Sequence, residues 1–280
     1  MKIIDGKRIA AELRAELKTK IEASQEKPGL AVVIVGSDPA SCIYVRNKIK
    51  ACAELGIRSF SYELPENTLQ ADLETLLDKL ATDTAVDGIL LQLPLPKHLN
   101  AEAASAHIPF EKDVDGFSAQ NLGLLLQNKA QIAACTPFGI MKLLEKEGID
   151  PAGKHAVVLG RSETVGKPMA MLLLNANATV TVCHSKTKDL KALCRQADIL
   201  VSAVGKAGFV QADMVKETFA ASFTDYDVQM TDEEISVIKD KITSGDVECA
   251  FVMNGATSFT YYVDNLSMYD MNPDIATGVL

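Results

Sequence analysis

A chain of 280 residues, 48% hydrophobic and 23% charged, is globular and long enough to bury the cores of two domains. No stretch approaches the roughly 20 uninterrupted apolar residues of a membrane span, and the apolar part of Met1–Lys7 is too short for a signal peptide, so a cytoplasmic protein is expected. A formal charge of −9 argues against nucleic acid as the main ligand, the six scattered cysteines read as reduced thiols, and the four distant histidines offer no metal site.

Apolar residues at Ile9, Leu13, Leu17 and Ile21 form one stripe of an amphipathic helix. After Lys27-Pro28-Gly29, Leu30 to Val35 is an apolar run of strand length, closed by Gly36-Ser37-Asp38-Pro39. The helix that follows carries Tyr44 and Lys48 four residues apart, hence as neighbours on one face, while Arg46 and Lys50 point elsewhere. Taken alone, the segment also reads as a solvated basic helix with an aromatic beside a lysine. Arg58 to Leu64 is a second strand, Leu69 to Leu80 a helix, and Val86 to Leu93 a third strand stopped by Pro94 and Pro96. Strand ends of a parallel sheet collect at one edge, which brings Gln92 within reach of the helix that carries Lys48. The segment Pro109–Phe117 then places Lys112, Asp113 and Asp115 in a loop. Such turns often form for local reasons, but loop carboxylates also bind heterocycles rich in hydrogen-bond donors.

At Cys135-Thr136-Pro137 a further helix begins, with Thr136 expected as N-cap and Pro137 as first helical residue. Lys154–Leu159 reads as a buried strand, Gly160–Gly166 as a turn and Lys167–Leu174 as a helix. Ser162 holds the place of the second glycine of Gly-x-Gly-x-x-Gly, so the strand-turn-helix context alone supports a dinucleotide site. The amides at the helix start are expected to hold a phosphate. The next strand, Ala178–Cys183, ends in His184-Ser185-Lys186, where an acidic residue would suit the ribose of NAD. Ser185, Lys186 and Arg161 favour the 2′-phosphate of NADP instead. A helix from Lys188 to Arg195 and a strand from Asp198 to Gly205 complete a Rossmann-like succession.

Tyr44-x-x-x-Lys48, Gln92-Leu93-Pro94-Leu95-Pro96, Lys112-Asp113-Val114-Asp115-Gly116-Phe117, Cys135-Thr136-Pro137 and Gly160-Arg161-Ser162-x-x-Val165-Gly166-x-Pro168 occur in this order. As an ordered set they closely resemble the bacterial bifunctional methylenetetrahydrofolate dehydrogenase/methenyltetrahydrofolate cyclohydrolase, continuously from Lys2 to about Val215. The resemblance implies an α/β protein of two domains: an N-terminal folate-binding catalytic domain over 1–120 and a Rossmann-like NADP-binding domain over 121–280, atypical in 216–280, with the reaction between them. It implies that Lys48 is catalytic, that Tyr44 stacks on the folate, that Gln92 is the polar partner of the lysine, and that Asp115 holds the pterin. Leu91 and Leu93 join the folate contacts. Gly160, Arg161, Ser162, Val165, Gly166 and Ser185 go to NADP, with Arg161 and Ser185 at its 2′-phosphate. The implied partners are tetrahydrofolate derivatives and a second copy in a homodimer, without metal, in a route that feeds purine biosynthesis.

The implied chemistry suits these residues. Hydride transfer from the bridging methylene to a nicotinamide leaves a cationic methenyl bridge, so the protein chiefly aligns two rings. Hydrolysis adds water to an amidinium-like carbon, for which Lys48 would be the general base and Gln92 an orienting group that adds no charge.

Beyond Val210 the family continues into a strand ending Asp-Val-Gly and a Pro-Val-Pro-Gly-Gly-Val-Gly-Pro-Met-Thr loop that this sequence lacks. Here Thr231-Asp232-Glu233-Glu234 opens a helix that runs through Ile242, and Val247–Met253 and Ser258–Val263 read as strands joined at Asn254-Gly255. Two functions follow. One is the bifunctional enzyme using NADP; the other is a catalytically impaired folate- or nucleotide-binding protein that keeps cyclohydrolase activity and has lost hydride transfer with its tail.

Overall fold

The computed structural model describes residues 4–206 and 208–215, together with the strands 250–254 and 258–262. In chain order the elements are α1 (Gly6–Ala23), β1 (Gly29–Val35), α2 (Pro39–Leu55), β2 (Arg58–Leu64), α3 (Gln70–Thr82), β3 (Gly88–Leu91), α4 (Ala101–Ser105), α5 (Ala119–Leu126) and α6 (Cys135–Lys146). They continue with β4 (His155–Leu159), α7 (Gly166–Asn175), β5 (Thr179–Cys183), α8 (Leu190–Arg195), β6 (Ile199–Ser202), β7 (Ala250–Asn254) and β8 (Ser258–Tyr262).

Two compact units divide the chain: residues 11–133, and residues 134–280 together with 1–10. Asn121 ties α5 to the preceding loop, its Nδ2 donating to the Phe110 carbonyl at 2.8 Å. Residues 1–10 join the second unit through Arg8, whose guanidinium meets Glu147 Oε1 at 2.7 Å. Along α1, Ile9 and Ile21 are buried but Leu17 is exposed, so the expected stripe is buried at its two ends.

In the unit 11–133, β1 lies between β2 and β3 in a parallel sheet of order β2-β1-β3. Ala31, Val33, Val35, Ile89 and Leu91 pack on one face against Leu73, Leu77 and Leu80 of α3. The alternate residues Val32, Ile34 and Leu90 pack on the other face against Val45 of α2. Coverage of both faces explains why β1 reads as an unbroken apolar run. Asp38 opens α2 by accepting the Ser41 N–H at 2.8 Å, with Pro39 in the first turn, and Gly56 closes it in the left-handed region at φ 79. Regular pairing of β3 ends at Leu91, short of the expected Leu93, although the Gln92 N–H still reaches the Val33 carbonyl at 2.8 Å. Beyond it Pro94 and Pro96 carry no N–H, and the Leu93–Pro94 peptide is cis.

In the second unit, β4 lies between β5 and β6, and the sheet continues through β8 and β7 in the order β5-β4-β6-β8-β7. Its core gathers Val157, Leu159, Cys183, Cys194 and Leu200. The two strands expected in the tail pair antiparallel, with Asn254 opposite Ser258, and β8 adds in parallel to the edge of β6. Gly255 of the expected hairpin turn and the helix expected from Thr231 lie outside the described residues. Helix α6 starts two residues earlier than expected. Its cap is Ala134, whose carbonyl accepts the Phe138 N–H at 3.0 Å, and Thr136 lies inside the first turn. Pro137 fits there because first-turn N–H groups have no intrahelical acceptor.

The two units share a topological feature. Each places its first strand between the two that follow, so the crossovers reverse direction at the carboxyl ends of β1 and β3, and again at those of β4 and β6. Such switch points open the crevices where α/β sheets bind ligands.

Candidate active site

Helix α2 meets the sheet through Cys42, Val45 and Ile49. That seam sets Tyr44 and Lys48, one turn apart, on the adjacent stripe; both are half-buried, whereas Arg46 and Lys50 are exposed. Strand alternation puts Gln92, two residues beyond Leu90, on the same side of the sheet as α2. The Lys48 amine donates to Gln92 Oε1 at 3.4 Å, and Gln92 Nε2 donates to the Leu93 carbonyl at 2.6 Å, which fixes the orientation of the amide. Burial, and then the charge of Asp38, raises the pKa of the Tyr44 phenol above its ordinary value. The leucines on either side of Gln92 part company. Leu91 buries its side chain on the opposite face against α3, while Leu93 is 42% exposed beside the site.

The loop 109–117 docks on β3 where the Ile89 N–H donates to the Lys112 carbonyl at 2.7 Å. Gly88 makes room for it, since a Cβ there would lie 2.4 Å from Val114 Cγ1. Of Lys112, Asp113 and Asp115, the fold engages two. The Lys112 amine donates to the Asp83 carbonyl at 2.8 Å, at the end of α3. The buried Asp113 carboxylate accepts the Gly116 N–H at 3.1 Å, the Ser118 N–H at 2.8 Å and Asn121 Nδ2 at 3.1 Å. Asp115 differs: among the described residues no group donates to its half-buried carboxylate. Burial raises its pKa above the usual carboxylate range, the Lys48 ammonium pulls it down, and the Asp113 charge pushes it up. The arrangement is an amine held by a neutral amide, with a phenol one turn away and a carboxylate ready to accept from a ligand.

In the second unit, Gly160 sits at φ +111, where a Cβ would lie 2.3 Å from the Ala203 carbonyl oxygen. A Cβ on Gly166 would lie 2.4 Å from the Gly160 carbonyl oxygen. Both glycines therefore answer to close backbone approach at the switch point. The helix-start amides, expected to stand open to a phosphate, are instead taken up within the turn. Ser162 Oγ accepts the N–H groups of Val165 at 3.1 Å and Gly166 at 3.2 Å, its carbonyl takes that of Lys167 at 2.9 Å, and Pro168 has none. The amides of Arg161, Ser162, Glu163 and Thr164 meet no acceptor among the described residues, so the turn, one step before the helix, offers the donors. Leu159 pairs with Cys183, and the Gly160 N–H donates to the Cys183 carbonyl at 2.8 Å, so the turns after β4 and β5 start side by side. Arg161 and Ser185, on those turns, are exposed and have no side-chain partner among the described residues. A guanidinium and a hydroxyl in the place of a carboxylate fit the 2′-phosphate of NADP.

Residues 4–115 match the catalytic domain of tetrahydrofolate dehydrogenase/cyclohydrolase, and residues 134–263 match the NAD(P)-binding domain of the same enzymes. The chain belongs to the tetrahydrofolate dehydrogenase/cyclohydrolase family. The bifunctional protein FolD of Moorella thermoacetica is 56% identical over 218 residues, covering 77% of this chain and 78% of the relative. That of Acetivibrio thermocellus is 45% identical over 262 residues, covering 92% and 89%. Among solved structures, the Trypanosoma brucei methylenetetrahydrofolate dehydrogenase-cyclohydrolase complexed with NADP cofactor and inhibitor is 39% identical, with a TM-score of 0.71 over 77% of each chain. The Moorella relative aligns over 218 residues, in keeping with the expected end of the resemblance near Val215, while the NAD(P)-binding match reaches residue 263. Within that range lies the β7–β8 pair, which continues the sheet from β6.

One residue escaped the sequence reading. Asn121, 3% exposed, enters the site through Asp113. Its signal was Ser118, whose Oγ caps α5 by accepting the Asn121 N–H at 3.2 Å. A cap three residues upstream puts the Asn121 amide on the first helical turn, beside the acidic loop.

Proposed function

We propose that this chain carries out the NADP-dependent oxidation of 5,10-methylenetetrahydrofolate to 5,10-methenyltetrahydrofolate and the hydrolysis of that product to 10-formyltetrahydrofolate. The observation that carries the reading is the Lys48 amine held by Gln92 next to Asp115, whose carboxylate has no donor among the described residues.

In this reading Asp115 accepts the N–H groups of the pterin, the Tyr44 ring stacks on it, and Leu93 adds an apolar edge. NADP, when bound, supplies the hydride acceptor. The turn amides of 161–164 take its phosphates and Arg161 and Ser185 its 2′-phosphate, which sets the preference over NAD. In the second reaction the neutral-amine form of Lys48 takes a proton from the water that adds to the methenyl carbon, and the resulting ammonium returns one to the ring nitrogen as the bridge opens. Gln92 keeps the amine aimed and adds no charge beside a cationic substrate. The alternative of an impaired binding protein finds no support, since the NAD(P)-binding match spans 134–263.

The chain is further proposed to work as a homodimer in the cytoplasm and to supply 10-formyltetrahydrofolate to purine biosynthesis, without nucleic-acid or membrane partners. The charge of −9 favours this, and no described helix is long and apolar enough to cross a membrane. Light scattering on the purified protein is expected to give twice the mass of the chain. The activity test mixes purified protein with 5,10-methylenetetrahydrofolate and NADP, follows NADPH, and separately follows the loss of methenyl absorbance. Both signals are expected; absence of both overturns the reading.

A further inference from the structure

The loop that presents Asp115 is clamped from beneath by a polar network that takes no part in the chemistry described above. Asn121 is buried on the first turn of α5, where an amide is costly to bury unless its polar atoms find partners. Its Nδ2 donates twice, to the Phe110 carbonyl at 2.8 Å and to Asp113 Oδ2 at 3.1 Å, and so spans the segment leading into Asp115. The Asp113 carboxylate continues the clamp on the far side, with Oδ1 accepting the Gly116 N–H at 3.1 Å and Oδ2 the Ser118 N–H at 2.8 Å. Asp115 lies between these tied positions. Its backbone is therefore fixed on both sides while its own carboxylate stays unengaged. A well-packed apolar pair often serves stability as well as a buried charged network does, so what the network holds in place matters more than its bonds.

We infer that Asn121 and Asp113 are positioning residues, which hold the Asp115 carboxylate beside Lys48 in the pose that binds folate. The inference rests on the folate-binding role proposed for Asp115. Asp113 has a second influence, because its charge raises the proton affinity of Asp115 against the pull of Lys48.

The test is a double-mutant cycle on the purified full chain with Asn121→Ala, Asp115→Ala and both together. The readouts are KM for 5,10-methylenetetrahydrofolate, KM for NADP, kcat, and the rate of methenyl hydrolysis. Asn121→Ala is expected to raise the folate KM about tenfold when Asp115 is present. It is expected to leave the NADP KM unchanged and to add nothing once Asp115 is alanine. A general loss of stability would instead act equally in both backgrounds or move both KM values, and either result overturns the inference, as does an unchanged folate KM. If Asn121→Ala fails to fold, Asp113→Asn, which keeps the volume and one acceptor oxygen, replaces it in the same cycle with the same expectation. A folate KM indifferent to Asp115→Ala removes Asp115 from the site and overturns both this inference and the role it rests on. Additive effects on top of an impaired Asp115→Ala enzyme overturn this inference alone.

Discussion

The two units solve the same topological problem with different materials. Each sets its first strand between the next two and so has the same switch point, β1/β3 in one and β4/β6 in the other. The unit 11–133 fills that place with side chains from three separate segments: Tyr44 and Lys48 on α2, Gln92 after β3, and Asp115 on a docked loop. The second unit fills it with one contiguous turn whose shape depends on two glycines and on Ser162. The lesson is one of vulnerability. A site of assembled side chains loses chemistry when one functional group goes, while a site of backbone loses its shape when a methyl group is added.

Gly166→Ala gives the largest separation of the two. Its Cβ would lie 2.4 Å from the Gly160 carbonyl oxygen, a backbone atom that cannot swing away. Overpacking of this kind costs about 1–3 kcal/mol. NADPH formation is expected to fall about a hundredfold, in line with the loss from a misplacement of ~1 Å, while methenyl hydrolysis stays near wild type. Equal losses in both assays would break the separation. Arg161→Ala comes next, removing one charged hydrogen-bonding group worth about 1.5–3 kcal/mol. The KM for NADP is expected to rise about tenfold to a hundredfold and the KM for NAD to stay the same. A parallel rise for both cofactors would take Arg161 off the 2′-phosphate.

The smallest effect is on stability, and its sign follows from Asp115. Burial, the leading cause, raises its folded pKa; Lys48 opposes this and Asp113 adds to it. A carboxyl group raised in this way favours the fold below its unfolded pKa, and that contribution is lost as pH rises through the folded value. At pH 7 the ionised group weighs against folding, so Asp115→Asn is expected to melt above wild type while binding folate poorly. Below about pH 4, near the ordinary aspartate value, the two are expected to melt alike. Thermal melts across that range check it, and a variant less stable than wild type at pH 7 would contradict the burial argument.

Much of the site was legible because it rests on short periods. The spacing of Tyr44 and Lys48 gave a shared helical stripe, and the end of an apolar run gave Gln92 its place beside them. What resisted reading depends on contacts between distant segments. Nothing local to the loop said that Lys112 would close α3 or that Asp113 would be consumed by three N–H donors, leaving Asp115 for a ligand. Leu91 and Gln92 are adjacent in sequence yet face opposite layers. Ser162 read as a missing glycine, but its hydroxyl takes over amides that were expected to hold a phosphate. The tail showed its two strands by composition, whereas their docking on β6 needed the sheet.

Lys48 is proposed to perform the hydrolytic step from within the unit 11–133, independently of the cofactor turn. The direct measurement is methenyl hydrolysis by Lys48→Met, with NADP affinity measured on the same preparation. Loss of a general base typically costs about a hundredfold to ten-thousandfold. The hydrolysis rate is expected to fall by that order, with NADP affinity and melting temperature close to wild type. Normal hydrolytic turnover in this variant would contradict it.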